Sequence, residues 1–317
     1  MGEFDLIKQF FTRPSRRAVL GVGDDCALLQ PTPGMQLAIS TDMLVAGQHF
    51  FADVDPFTLG HKALAVNLSD LAACGATPLA FTLALALPES NASWLAAFSK
   101  GMFALADHHQ CELIGGDTTR GPLTISITVL GETPPGQALL RSGAQAGDDI
   151  YVSGTLGDAC LALEALQGKI RLSVNDLAQA RQRLEQPTPR VTLGVALRGI
   201  ATAAIDVSDG LMGDLQHILD SSHVGASLHT ESLNEAMIVS GHPLRYLLAG
   251  GDDYELVFTA PPHFRETVIR AAHSASTPVR RIGSIDARPQ LRLLDAQGVM
   301  VSGAFKSFDH FSDLVQP

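Results

Sequence analysis

The sequence predicts a two-domain protein of the α/β (α+β) class. Three observations point there. Its 317 residues exceed what one hydrophobic core usually organises. Strand-like and helix-like apolar periods alternate along most of the chain and restart after a Pro/Gly-rich break. Alanine, leucine and glycine are plentiful while aromatics make up 6% of residues, which favours helices packed on sheets over a β-sandwich.

The elements follow in order. Gln36 to Thr41 is a short strand ending at Asp42. Phe57 to Ala73 has Leu59, Ala63, Val66 and Leu71 near helical spacing, and Gly75 stops it. Phe81 to Leu87 alternates Leu and Ala as a strand packed on small residues would. Ala92 to His108 reads as a helix. Leu123 to Leu130 alternates strongly and is the clearest strand. Thr133-Pro134-Pro135-Gly136 then breaks the pattern, so the domains are expected at 1–140 and 141–317. A strand at Asp149 to Val152 restarts the order. Helices follow at Gly157 to Gln167, Asp176 to Gln186 and Val191 to Gly199. Ala203 to Asp206 is a strand entering a turn and helix. Tyr254 to Thr259 is a strand, and Phe264 to His273 a helix. The run Leu113-Ile114-Gly115-Gly116-Asp117 is echoed by Leu248-Ala249-Gly250-Gly251-Asp252, a faint hint of duplication.

Charge and termini exclude several classes. The formal net charge is −11, with five lysines among 22 basic residues. Such a chain lacks the basic patch that nucleic acid or an anionic membrane surface demands. The first residues carry neither a basic n-region nor an apolar h-region, and no apolar stretch is long enough for a bilayer. A cytoplasmic protein is expected. Cys26, Cys74, Cys111 and Cys160 form no CxxC pair, which predicts buried, reduced thiols rather than a zinc site or disulfides.

The acids carry the chemistry. Asp25 follows Gly23-Asp24, and Asp42 follows Ser40-Thr41. Asp70 lies late on a helix, and Asp117 follows Gly115-Gly116 in an expected turn. Asp206 and Asp209 flank Ser208 in a strand-to-helix turn, and Asp252 follows Gly250-Gly251. Several come directly after apolar segments, where a carboxylate is costly unless it ligates metal or accepts hydrogen bonds. Oxygen ligands of this kind suit Mg²⁺, which bridges carboxylates to phosphates. Glycines beside them let backbone N–H groups approach a phosphate. Each loop taken singly also fits ordinary turn chemistry or helix capping. The sequence has no GxxxxGK[ST] loop, protein-kinase catalytic loop, HExxH or GxSxG.

Taken together the loops resemble the thiamine-monophosphate kinase family, within the wider group that includes aminoimidazole ribonucleotide synthetase and selenophosphate synthetase. The matching pieces are GEFDLI at Gly2, GVGDDCALL at Gly21, AISTDMLVAGQHF at Ala38, KALAVNLSDLAACGATP at Lys62, LIGGDTTRG at Leu113, RSGAQAGDDIYVSGTLGD at Arg141, AIDVSDGL at Ala204, GGDDYELVF at Gly250 and FDHF at Phe308. They run in order over nearly the whole chain. Selenophosphate synthetases carry a reactive Cys or selenocysteine with a nearby Lys in the N-terminal segment; here that segment is acidic and lacks the Lys.

The resemblance implies an aminoimidazole ribonucleotide synthetase-like fold: an N-terminal α/β domain forming the core of a homodimer, a C-terminal α/β domain packed on it, and ATP in the cleft. It implies transfer of the ATP γ-phosphoryl group to thiamine monophosphate, supported by several Mg²⁺ ions. Asp25, Ser40, Thr41, Asp42, Asp70, Asp117, Asp206 and Asp209 match metal positions, with Asp42, Asp70 and Asp117 central to catalysis. Gly116, Asp117, Arg141 and Ser208 match nucleotide contacts, and His49, Asp252 and Phe308 match acceptor contacts. The family motif at Asp252 usually has Glu, so the acid here is one methylene shorter. Phe308 stands where another aromatic is common.

Overall fold

Strand pairing divides the described residues into one four-stranded sheet, one six-stranded sheet and a small hairpin. The computed structural model describes residues 2–234, 236 and 241–301. The chain splits into two units, residues 1–71 with 76–138, and residues 72–75 with 139–317.

The first unit runs α1 (Glu3–Phe10), β1 (Ala18–Leu20), β2 (Leu28–Leu29), β3 (Gln36–Val45), α2 (Pro56–Ala73), β4 (Thr77–Leu87), α3 (Ala92–His108), β5 (Glu112–Arg120) and β6 (Thr124–Thr133). Its sheet has the order β3-β6-β4-β5, so β3 and β5 are the edges. Only the β4–β5 pair is parallel, joined by the α3 crossover. Alternation sets the two faces. Ile125, Ile127 and Val129 of β6 are buried beside Phe81, Leu83 and Leu85 of β4. Leu64, Leu68 and Leu71 of α2 and Phe98 and Met102 of α3 supply buried helix residues. The opposite face of β3 leaves Leu37, Ile39 and Met43 exposed.

The second unit runs β7 (Asp149–Ser153), α4 (Asp158–Leu166), α5 (Val174–Glu185), α6 (Val191–Ala196), β8 (Ala203–Asp206), α7 (Leu211–Ser222), β9 (Gly225–His229), α8 (Thr230–Asn234), α9 (Arg245–Ala249), β10 (Leu256–Ala260), α10 (Arg265–Ser274), β11 (Val279–Asp286) and β12 (Leu291–Leu294). Its sheet order is β12-β9-β11-β7-β10-β8, antiparallel except at β12–β9. Ile150, Val152, Ile205, Val257 and Ile282 pack with Leu211, Leu215 and Ile218 of α7 in one apolar cluster.

Four expectations change. Asp42 does not end its strand: β3 continues to Val45, because its whole length pairs with β6. Gly115 to Thr119 is no turn but the interior of β5, held by parallel pairing to β4. The echo between Leu113–Asp117 and Leu248–Asp252 therefore joins unlike structures, since the second run is the end of α9 and a loop. Among the cysteines only Cys111 is buried; Cys26 is exposed, and Cys74 and Cys160 are intermediate. None of the four is in a disulfide. Burial pushes the Cys160 thiol up to about 11 and Cys111 higher still.

Candidate active site

The pleat of β3 sorts its polar residues. Ser40 and Asp42 are two residues apart and share one face, while Thr41 lies on the other. Thr41 Oγ1 meets Thr128 Oγ1 at 2.8 Å on that other, exposed side. Ser40 Oγ donates a short hydrogen bond to the Asp70 carboxylate. The Asp42 backbone N–H, on the open edge of β3, donates to Asn67 Oδ1 at 3.0 Å. Asn67 is buried, and its amide donates to Ala63 O at 3.0 Å, so the side chain is fixed by its own helix. Asn67 and Asp70 are three residues apart on α2 and occupy one helical face. The structure thus brings Ser40, Asp42 and Asp70 together and places Thr41 behind them.

Just past β3, His49 Nδ1 accepts the Val45 N–H at 3.0 Å. A ring whose Nδ1 accepts carries its proton on Nε2, so His49 presents a donor there.

Gly116 and Asp117 sit on the opposite edge of the same sheet. The row across it reads Asp42, Ile127, Leu83, Gly116, and Asp117 falls in the next row beside Ala84. Three strand spacings separate the two aspartate backbones, roughly 14 Å. Gly116 has φ 144°, and a Cβ there would overlap the Leu83 carbonyl, so the strand can pass only with glycine. A cavity of about 40 Å³ beside this bend is lined by Ile7, Phe11, Val22, Leu83, Gly116 and Asp117. Asp25 is exposed in the loop between β1 and β2, where its N–H donates to Asp24 Oδ1 at 2.8 Å.

In the second unit Asp206 ends β8 and is buried. Ser208 and Asp209 lead through Gly210 into α7. The N–H groups of Asp209 and Gly210 both donate to Asp214 Oδ2 at 3.1 Å, which holds this turn from inside the helix. Burial lifts the Asp214 carboxyl to about 7, against the pull of these N–H donors. The loop Gly250–Tyr254 lies against the same turn: Asp252 N–H donates to Ser208 O at 2.8 Å, and Tyr254 N–H to Val207 O at 2.9 Å. Arg141 is exposed in the irregular segment before β7, with its carbonyl accepting from Ser222 Oγ at 3.3 Å. Phe308 lies outside the described residues.

The donors of the expected metal set are hard oxygens, the type that Mg²⁺ takes, and the Ser40–Asp42–Asp70 group fits that ion. Among the described residues no three His, Cys, Asp or Glu side chains converge as a ready-made metal cluster.

The two units correspond to two known domains. Residues 23–133 match the AIR synthase related protein N-terminal domain, and residues 145–296 its C-terminal domain. The thiamine-monophosphate kinase of Salmonella typhimurium is 48% identical over 98% of this chain and 98% of its own. The chain belongs to the thiamine-monophosphate kinase family. Among solved structures, the thiamine-monophosphate kinase of Stenotrophomonas maltophilia superposes with a TM-score of 0.80 at 48% identity, covering 87% of this chain and 90% of that one. The protein AaThiL, complexed with AMPPCP and TMP, superposes with a TM-score of 0.77 at 28% identity, covering 89% of each chain.

Sequence patterns missed several residues around these members of the thiamine-monophosphate kinase motifs. Asn67 is readable in hindsight from its spacing to Asp70. Asp214 follows Asp209 by one helical turn and a residue. Asp253 and Glu255 look like loop and strand residues, and only the folded chain reveals their burial. Burial pushes the Asp253 carboxyl well above the carboxylate range, with the Gly157 N–H and Arg183 opposing it.

Proposed function

We propose that this chain catalyses Mg²⁺-dependent transfer of the ATP γ-phosphoryl group to thiamine monophosphate, giving thiamine diphosphate and ADP. The observation that carries this reading is full-length likeness to a kinase of that name, at 48% identity. The neighbour complexed with AMPPCP and TMP, an ATP analogue and an abbreviation we read as thiamine monophosphate, supports the choice of donor and acceptor.

The acceptor is a phosphate monoester. Its second pKa of roughly 6 leaves it largely dianionic near neutral pH, so its oxygen needs no strong general base. What the protein must supply is charge neutralisation and in-line geometry. Bound Mg²⁺ ions supply positive charge to the transferring phosphoryl group. Ser40, Asp42 and Asp70 form the group we assign to hold them, with Asp25, Thr41, Asp117, Asp206 and Asp209 as further ligands. Thr41 turns its side chain away from Asp42, so its place in this set rests on the family motif alone. Gly116, Arg141 and Ser208 are assigned to the nucleotide, where Arg suits bidentate contact with phosphate oxygens. His49, through Nε2–H, is a donor for the acceptor. Asp252 and Phe308 complete the acceptor contacts.

The enzyme acts as a homodimer in this reading. Leu37, Ile39 and Met43 lie on one exposed face of β3, and a second copy would cover them. It works in the cytoplasm in this reading, where cysteines that form no disulfide are at home. Among the described residues no helix is long and apolar enough to cross a membrane.

Incubation with Mg-ATP and thiamine monophosphate tests the proposal. Thiamine diphosphate should form together with ADP. Its absence would remove the assignment, and phosphorylation of free thiamine alone would reclassify the enzyme.

A further inference from the structure

The loop from Gly250 to Tyr254 has an inner layer that phosphoryl transfer itself does not use. Its side chains alternate. Asp252 and Tyr254 are half-buried, while Asp253 and the following Glu255 are fully buried. Asp252 and Tyr254 hold left-handed backbone, with φ 69° and 52°. Non-glycine residues stay in that region only where their surroundings impose it.

Two sets of bonds impose it here. Towards the Ser208 turn, the N–H groups of Asp252 and Tyr254 are bonded to the carbonyls of Ser208 and Val207, and the Val207 N–H returns to the Glu255 carbonyl at 2.8 Å. Towards the interior, the Glu255 carboxylate accepts from Arg190 Nε at 2.7 Å, Arg190 Nη2 at 2.6 Å, Arg183 Nη2 at 2.5 Å and Ser153 Oγ at 2.6 Å. Arg183 Nη2 also donates to the Asp253 carbonyl at 3.2 Å, and Asp253 Oδ2 accepts the Gly157 N–H at 2.7 Å. Both residues flanking Tyr254 are therefore gripped from below. Above them the Tyr254 hydroxyl donates to Asp252 Oδ1 at 3.1 Å.

A carboxylate would repel the acceptor's phosphate and attract its cationic, nitrogen-rich organic end. We propose that Tyr254, backed by the Glu255–Arg183–Arg190 cluster, is a positioning residue that aims the Asp252 carboxylate at the cationic organic part of the acceptor. This rests on the assignment of Asp252 to the acceptor. The shorter Asp side chain makes that aim more demanding, because reach cannot make up for direction. The pair selects for organic cations carrying a phosphate and contributes nothing to ATP binding.

Steady-state kinetics with thiamine monophosphate and ATP, in the full-length enzyme, tests this with Asp252→Asn, Tyr254→Phe, their double variant and Arg190→Lys. Asp252→Asn should raise the acceptor KM. Tyr254→Phe should raise it about three- to tenfold, the effect of one hydrogen bond of ordinary net strength. The ATP KM should stay within about twofold, and the double variant should be no worse than Asp252→Asn, since the two act as one unit. Arg190→Lys keeps the charge but loses the fork, and should move the acceptor KM in the same direction. If Asp252→Asn raises the acceptor KM and Tyr254→Phe does not, the positioning role is wrong while Asp252 keeps its own. If Asp252→Asn leaves that KM unchanged, the assignment of Asp252 fails and the pair with it. An Arg190→Lys enzyme with the wild-type acceptor KM would remove the buried cluster from the proposal.

Discussion

The backbone N–H of Asp252 donates to the carbonyl of Ser208 at 2.8 Å. Two loops more than forty residues apart in sequence are thereby joined at their tips. Gly251 makes the approach possible, because a Cβ there would overlap the Ser208 carbonyl. Gly251→Ala is expected to cost about 1–3 kcal/mol, as overpacking does. Urea denaturation of the purified variant measures it, and wild-type stability would mean the loops part easily.

Asp42 and Asp70 approach through shared neighbours, Ser40 on β3 and Asn67 on α2. Asp42→Asn or Asp70→Asn removes one of the carboxylates proposed to hold Mg²⁺ while keeping its shape. Turnover should fall on the order of 10²-fold, the scale seen when transition-state charge loses a designed partner. Thermal unfolding of the free protein should change little. Chelation of Mg²⁺ should stop the wild-type reaction and re-addition restore it. Full activity of both variants at limiting Mg²⁺ would take these residues out of the metal site.

The legibility of this fold in its sequence varied with the range of the forces involved. The helix Ala92–His108 and the strand Ala203–Asp206 coincide with their expected bounds, since local periodicity and capping define them. Asn91 accepts the Trp94 N–H as a helix cap, a purely local device. Gly115–Thr119 misread as a turn because two glycines usually mark one; only pairing with β4 shows that Gly116 serves close strand approach. Ser40, Asp42 and Asp70 were legible as candidates, whereas the outward turn of Thr41 follows from the pleat of a strand longer than expected. Glu255 was invisible as an anchor because its arginine partners lie 65 and 72 residues away in sequence.

Glu255 accepts from both Arg183 and Arg190 with no exposed side chain of its own. Glu255→Ala would leave two mostly buried guanidinium groups without their counter-ion. Breaking a buried ion network in this way costs about 3–5 kcal/mol. Denaturant titration should show that loss, and a change below about 1 kcal/mol would mean water replaces the carboxylate readily.

Acid stability should depend on His109. Burial, followed by the neighbouring His108 and His61, lowers it from 6.5 to about 4. The unfolded chain therefore binds a proton between these values that the folded chain refuses. Its contribution is fully present above pH 6.5 and is lost as the pH falls toward 4, by about 3 kcal/mol in all. Melting curves from pH 4 to 7 should show a shallower acid limb for His109→Gln than for wild type. Parallel limbs would contradict the shift.

In the proposed reaction the phosphate of thiamine monophosphate attacks the γ-phosphorus of ATP directly, in a site built on Ser40, Asp42 and Asp70. A single turnover with γ-labelled ATP, Mg²⁺ and thiamine monophosphate addresses it most directly. The label should pass to the terminal phosphate of thiamine diphosphate, with no labelled protein at any time. Label accumulating on the protein, or released only as inorganic phosphate, would contradict it.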